Sequence, residues 1–202
     1  MSKNQNKQRC IWAQGDALMQ AYHDTEWGFP TRDDRKLFEF LVLESAQAGL
    51  SWSLILQRRE NYRKAFANFD PIEVAKFGDK EVQHLMNDAG IIRNKAKIQA
   101  AINNAQRFLE VQKEFGSFAN YSWQFVGNRQ IHHTIREAKD FPVKTKEAEA
   151  FAKDLKKRGF KFLGAITIYA HMQAVGMVND HMEQCFRRKE TFSWKNKTNI
   201  NN

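Results

Sequence analysis

The chain has 202 residues, enough to bury a core as one domain or two small lobes. Its two cysteines lie too far apart for a disulfide framework, and no apolar run is long enough for a signal peptide or a membrane span, so a soluble protein of the reducing cytoplasm is expected. Lys and Arg number 32 against 23 acidic residues, and the net charge of +9 favours a polyanionic partner, most simply nucleic acid.

The chain opens on a polar, basic tail, residues 1–9. Cys10 and His23 follow, thirteen apart. Asp33 or Asp34 then caps a helix expected to run to about Gly49, where glycine stops it. Leu37, Leu41 and Ala48 share one face of that helix. Glu44 falls in the middle of this apolar stripe and Glu39 on the other side. A carboxylate on an apolar stripe costs several kcal/mol unless something pairs with it. Glu44 therefore either makes a buried ion pair with Arg or Lys, or lines a pocket and awaits a ligand. Trp52 on the AGLSW loop, with Tyr22 and Trp27 flanking His23, supplies aromatic walls suited to a flat, cationic, amino-bearing ligand.

Glu60–Phe69 reads as the next helix, ended by Asp70-Pro71. Two short helices follow, the second closed by Gly90, and a long amphipathic helix begins near Lys95, with Ile98, Ile102, Ala105, Phe108 and Leu109 on one face. A looser stretch spans about 116–143; its adjacent His132 and His133 read as incidental. Thr145 caps a helix whose acids lie early and bases late, as its dipole favours, with Gly159 ending it. Ala165–Val175 forms the last expected helix. His181 and Cys185 come at i, i+4, as on one face of a helical turn, and a polar tail runs from Arg187. The fold class is all-α.

Cys10, His23, His181 and Cys185 suit a closed tetrahedral zinc site, structural rather than catalytic because no position stays open. If the pairs meet, the metal pins the N-terminal segment to the C-terminal one. The other reading is two unrelated buried cysteines and two ordinary histidines. Short glycine-containing turns at 90–94 and 159–164 each join two helices. In the second, free N–H groups at the following helix start, a close approach allowed by glycine, and Lys156, Lys157, Arg158 and Lys161 together suit a DNA phosphate. An ordinary helix connection with solvated lysines fits the same residues.

Four strings carry a resemblance: AYHDTEWGFP (21–30), LESAQAGLSW (43–52), DAGIIRNKAKIQA (88–100) and KKRGFKFLGAITIYAHMQAVGMVNDH (156–181). In this order they resemble the 3-methyladenine DNA glycosylase I family of the helix-hairpin-helix DNA glycosylase superfamily, over roughly residues 10–185. The resemblance implies a helix-hairpin-helix glycosylase fold in which one Zn²⁺, on Cys10, His23, His181 and Cys185, clamps the terminal segments. It implies one glycosylase unit at 10–186 with a helical lobe at about 31–180, flexible tails at 1–9 and 187–202, and a monomer. The implied activity is monofunctional hydrolysis of the N-glycosidic bond of 3-methyladenine in double-stranded alkylated DNA. The abasic strand is left uncut, and the free base is a product ligand.

In the same terms Glu44 matches the carboxylate that hydrogen-bonds the methylated adenine. Tyr22 and Trp52 match residues stacking around it, with Trp12 and Trp27 nearby. Leu50 matches a residue entering the gap left by the flipped nucleotide, assisted by Gln47 on the turn at Gly49. Lys161 to Gly164, with Lys157, match the strand-gripping hairpin. The chain departs from the family at Met19, where an aromatic is common, and at His171, where Phe is usual and a core substitution is expected, with or without a hydrogen bond. The superfamily's helper aspartate falls on Asn179, next to Asp180. The rival readings are a glycosylase for a different or broader lesion set and a non-catalytic DNA-binding protein.

Overall fold

The structure, a computed structural model, describes residues 7–192, and these are mostly helical. Helix α1, Ala17–Thr25, begins at Asp16, whose carboxylate accepts from the Leu18 N–H and from Ser53 Oγ at 2.7 Å. That second bond ties the start of α1 to Ser53, far along the chain. The sequence alone does not announce a helix here, because a short segment of mixed polarity shows no clear period.

Helix α2, Asp34–Gln47, is capped by Asp33. Asp34 instead reaches across the fold and accepts from the backbone N–H groups of Phe118 and Ala119, each at 2.8 Å. Helix α3 covers Trp52–Ala65, starting at the Ser51 cap rather than at Glu60. It ends at Ala65 because Ala67, Asn68 and Phe69 all take positive φ, which no helix can continue. Helices α4 (Pro71–Val74), α5 (Asp79–Asn87) and α6 (Lys95–Phe115) follow as expected, α6 ending on Gly116 at φ +80°.

The stretch after α6 is less loose than its composition suggests. It holds α7, Phe118–Trp123, and a two-residue strand β1, Ile131–His132, paired in parallel with β2, Val178–Asn179. The all-α expectation is corrected to that extent. A two-residue pairing is too short to write an alternating pattern into the sequence. Helix α8, Lys146–Lys157, is capped by Thr145, and α9 spans Ala165–Ala174.

The tail expected from residue 187 begins instead as helix α10, Arg187–Phe192. Arg188 donates to the carbonyls of His133 and His181, and the buried Thr191 hydroxyl lies against Asn179. At the other end, Arg9 of the expected N-terminal tail is held by Asp24 at 2.7 Å. The remaining tail residues, 1–6 and 193–202, lie outside the described residues. No helix among those described is long and apolar enough to cross a membrane.

Helix α2 runs through the centre of the molecule. Every residue from Leu37 to Ala46 is buried, so this helix has no solvent face there, as a helix enclosed by others requires. Phe38 meets Phe108 of α6 edge-on, and Phe108 stacks on Phe118 of α7 with centroids 4.2 Å apart. Each such buried Phe contributes about 1.5–3 kcal/mol. His171 of α9 is fully buried, and neither ring nitrogen has a hydrogen-bond partner among the described residues. Burial pushes it down to about 3, so it stays a neutral core residue.

Candidate active site and metal cluster

Because α2 has no outer face, both of its internal carboxylates are buried: Glu39 is 3% exposed and Glu44 4%. They meet opposite environments. Glu39 is surrounded by cations, with Arg59 and Arg63 each at 2.8 Å and Lys36 at 3.3 Å. Glu44 makes no hydrogen bond or ion pair with any described residue and lies on a cavity wall. Of the two fates open to Glu44, the structure gives the ion pair to Glu39 and the cavity to Glu44. Desolvation alone pushes Glu44 up to about 8. A carboxyl poised near neutrality on a concave, apolar surface is a candidate functional group with a physical reason behind it.

The cavity has a volume of about 360 Å³. Trp12, Met19, Tyr22, Trp27, Gln47 and Trp52 line it together with Glu44, so one space gathers the residues expected around the base. Its aromatic walls are built by different elements. Tyr22 projects from α1 and Trp52 from the first turn of α3, with centroids 5.4 Å apart. Trp12, on the short 3₁₀ turn Ile11–Ala13, stands edge-on to Trp27 at 4.9 Å. Phe40 of α2 backs Trp52 in a stacked contact at 6.3 Å. Aromatic faces around a single carboxylate attract a planar cation by about 0.5–2 kcal/mol each.

The opposite wall was not legible in the sequence. Phe141 and Pro142 come from the stretch read as loose, and Ala170 and Gln173 come from α9, over a hundred residues from Glu44. The string AHMQA offers only a core-like helical pattern, so no local signal marks Gln173.

Gly49 and Leu50 sit on the exposed turn between α2 and α3, beside the cavity rather than in its wall. The turn is well determined. Gly49 takes φ +82°, Leu50 N–H donates to the Gln47 carbonyl at 2.7 Å, and Gln47 Nε2 returns to the Leu50 carbonyl at 3.0 Å. Lys97 adds a clamp missed in the sequence: its ammonium donates to the carbonyls of Ala46 and Ala48 at 2.8 and 2.6 Å. A cation on the open carbonyls of a helix end is favoured by the dipole as well. The first hairpin thereby fixes the turn that carries Leu50.

The second hairpin lies away from the cavity, with Lys157, Lys161 and Gly164 all exposed. Asn104 of α6 brackets Lys161, accepting from its N–H at 2.8 Å and donating to its carbonyl at 2.9 Å. Phe162 follows at φ +58° with its side chain exposed. Arg158 is not part of the free positive surface: it pairs with Asp154 at 2.8 Å and Glu114 at 2.6 Å. Gly164 is informative for what it lacks. Its φ of −69° suits any residue, and an added Cβ would meet nothing within 4 Å. The chain's own packing does not demand glycine there.

Cys10, His23, His181 and Cys185 come together, all buried, with their donor atoms within 4.8 Å of one another, a cluster able to hold a metal ion. His181 and Cys185 stand on a tight turn between β2 and α10, not on a helix as their spacing suggested. The turn is set by Asn179, whose Oδ1 accepts from the His181 N–H at 3.1 Å. The imidazoles are oriented from behind. His23 Nδ1 faces Asp24 at 2.8 Å, and His181 Nε2 faces the Trp27 carbonyl at 3.0 Å, leaving the opposite nitrogens aimed at the sulfurs. His133, of the incidental pair, engages Asp180 at 2.7 Å.

The model for methyladenine glycosylases matches residues 12–188. The chain is 46% identical over 178 residues to DNA-3-methyladenine glycosylase 1 of Escherichia coli (strain K12), covering 88% of this chain and 95% of that protein. A crystal structure of 3-methyladenine DNA glycosylase I superposes with a TM-score of 0.86 at 47% identity, over 89% of this chain and 98% of the other. So does a tyrosine-to-phenylalanine variant of such an enzyme in complex with 3-methyladenine, with a TM-score of 0.86 at 34% identity over 89% and 97% of the two chains.

Proposed function

The chain belongs to the methyladenine glycosylase family, and from that premise we propose that it hydrolyses the N-glycosidic bond of 3-methyladenine in alkylated DNA. One observation carries the reading: Glu44 stands unpaired on an aromatic-walled cavity while its neighbour on the same helix, Glu39, is fully paired.

Methylation at N3 leaves the adenine positively charged and already a good leaving group, so the enzyme need not protonate it. It must extrude the base, hold it better than normal adenine, and tolerate positive charge developing on the sugar. Flipping costs a few kcal/mol, less for a damaged base. Leu50, presented on the clamped turn, fills the vacated stack, and Gln47 holds that turn closed. Tyr22, Trp52, Trp12 and Trp27 take the base between their faces, with Met19 closing the wall through its polarisable sulfur. Burial alone holds Glu44 up to about 8, and the cationic base draws it into the ionised form, which accepts from the exocyclic amine and favours the cation electrostatically. Normal adenine, uncharged, gains less from both. Among the described residues no lysine lines the cavity to form a Schiff base, which supports hydrolysis without strand cleavage. Asn179, at the superfamily's aspartate position, is an amide committed to the His181 turn, and water is the nucleophile.

Residues 10–186 act as one glycosylase unit, with the lobe at about 31–180 carrying two helix-hairpin-helix joints. The metal cluster takes Zn²⁺. Zn–S near 2.3 Å and Zn–N near 2.0–2.1 Å on a tetrahedron put sulfur and nitrogen about 3.6 Å apart. Three of the four sulfur–nitrogen separations here are 3.4–3.6 Å. Four protein donors leave no open position, so Cys10, His23, His181 and Cys185 use the metal as a structural clamp.

The backbone of the Lys161–Gly164 turn, with Lys157 and Lys161, grips one DNA phosphate, and the open space at Gly164 is where the phosphate approaches. Gly164→Ala is therefore expected to change stability by no more than about 1 kcal/mol, the usual range for a cap position. It should weaken duplex binding about tenfold, on the scale of a lost charge-assisted hydrogen bond. Unchanged affinity in a fluorescence-anisotropy titration would remove the hairpin from the DNA interface.

The direct test is chromatography of bases freed from methylated duplex DNA, with the strand run on a gel without alkali. The expected result is 3-methyladenine and an uncut strand. Release of 7-methylguanine as well would favour the broader-lesion reading, and no release from folded, metal-loaded protein would favour the DNA-binding one.

A further inference from the structure

Gln173 reaches the cavity from α9, and the base-binding scheme above makes no use of it. Its amide nitrogen donates to Asp180 Oδ2 at 2.7 Å. Asp180 is only 1% exposed, and it also accepts from the Tyr169 hydroxyl and, at 2.7 Å, from His133 Nδ1. Three donors converge on two oxygens, and such a carboxylate has no hydrogen to give back. The Gln173 amide therefore has one orientation open to it: nitrogen toward Asp180, Oε1 on the other arm. Oε1 has no donor among the described residues, yet it is not sealed in the interior, and Gln173 lines the cavity.

We infer that Gln173 is a specificity-determining residue, locked by Asp180 as a fixed hydrogen-bond acceptor that admits a 6-amino purine and rejects a 6-oxo purine. This rests on the glycosylase reading of the cavity and deepens it. The two acceptors in the wall differ in kind. Glu44, held up to about 8 by burial, can accept from an amine when ionised or donate to a carbonyl when protonated. Gln173 has no such freedom, because turning its amide over would set Oε1 against the Asp180 carboxylate. An alkylated adenine offers N–H at position 6 and an alkylated guanine offers a carbonyl. A carbonyl facing Oε1 leaves two acceptors opposed and unpaired in a desolvated site, which is how polar sites discriminate most strongly. In this scheme Asp180, Tyr169 and His133 are positioning residues. The buried charge of Asp180, which does not itself line the cavity, acquires a role without acting as a base.

The test compares wild type with Gln173→Leu and Asp180→Asn. Binding of free 3-methyladenine and free 3-methylguanine is followed by quenching of tryptophan fluorescence, since Trp12, Trp27 and Trp52 line the cavity. The ratio of the two bases released from methylated duplex DNA is measured alongside. Wild type should favour 3-methyladenine, and Gln173→Leu should lower that preference by about tenfold in both assays. Asp180→Asn presents a donor to Gln173, lets the amide turn over, and should shift the ratio further toward 3-methylguanine. An unchanged ratio in folded Gln173→Leu overturns the inference, whatever the fate of the Asp180 variant. Wild type that neither binds nor releases either base overturns the glycosylase reading itself, a result distinct from loss of selectivity alone.

Discussion

Glu44→Gln is expected to slow release of 3-methyladenine by on the order of 10²–10³, the scale of removing one preorganised electrostatic partner, while affinity for undamaged duplex stays nearly unchanged. The substitution keeps the shape and one acceptor oxygen but removes the charge that favours the cationic base. Single-turnover release measured beside a duplex-binding titration separates the two effects. Equal losses in both would recast Glu44 as structural.

The same variant should be more stable than wild type in alkali. Burial raises the folded Glu44 from 4.5 to about 8. Between those values the folded chain holds a proton that the unfolded chain has lost, so stability is fully present below about 4.5 and falls as pH rises through 8. Glutamine has nothing to ionise. Near pH 9 the variant should gain on wild type by on the order of several kcal/mol, and near pH 4 the difference should vanish. Urea midpoints at the two pH values would show it. Parallel behaviour at both would mean that Glu44 is not desolvated in solution.

Cys185→Ala is expected to abolish stoichiometric metal and lower stability by about 3 kcal/mol or more, roughly 6–12 °C in melting temperature for a chain of this size. Without a metal the cluster is poorly balanced. The hydrogen bond with Cys185 and burial push the Cys10 thiol up, whereas the hydrogen bond from Cys10 and the two imidazoles hold Cys185 down. A metal taking both as thiolates resolves that conflict. Damage should spread to the cavity by a traceable path. His23 adjoins Tyr22 on α1, and the Trp27 carbonyl holds His181, so two cavity walls adjoin the cluster. Base release should then fail at a lower temperature than in wild type while remaining measurable in the cold. Metal analysis and calorimetry decide the point: full metal content with unchanged melting would mean that Cys185 is not a ligand.

Much of this molecule is legible in the sequence, for a local reason. Caps act over three residues and amphipathic periods over two turns, so Asp33, Thr145 and the face of α6 report their own structure. The four metal-ligand types and the misplaced Glu44 are equally local anomalies, visible as wrong residue types in their surroundings. Tertiary structure alone decided what those anomalies meet. Glu39 and Glu44 are both buried carboxylates on one helix, and what separates their fates is Arg59 and Arg63, one turn apart on α3, which arrive at one and not the other. Gln173 looks like an ordinary helix residue until Asp180 fixes its amide and the fold turns it toward Glu44. The strand pair of 131–132 with 178–179, and the order of 187–192, likewise depend on partners far along the chain. Burial and charge compensation are properties of a three-dimensional neighbourhood, and a sequence window a few residues wide cannot contain one.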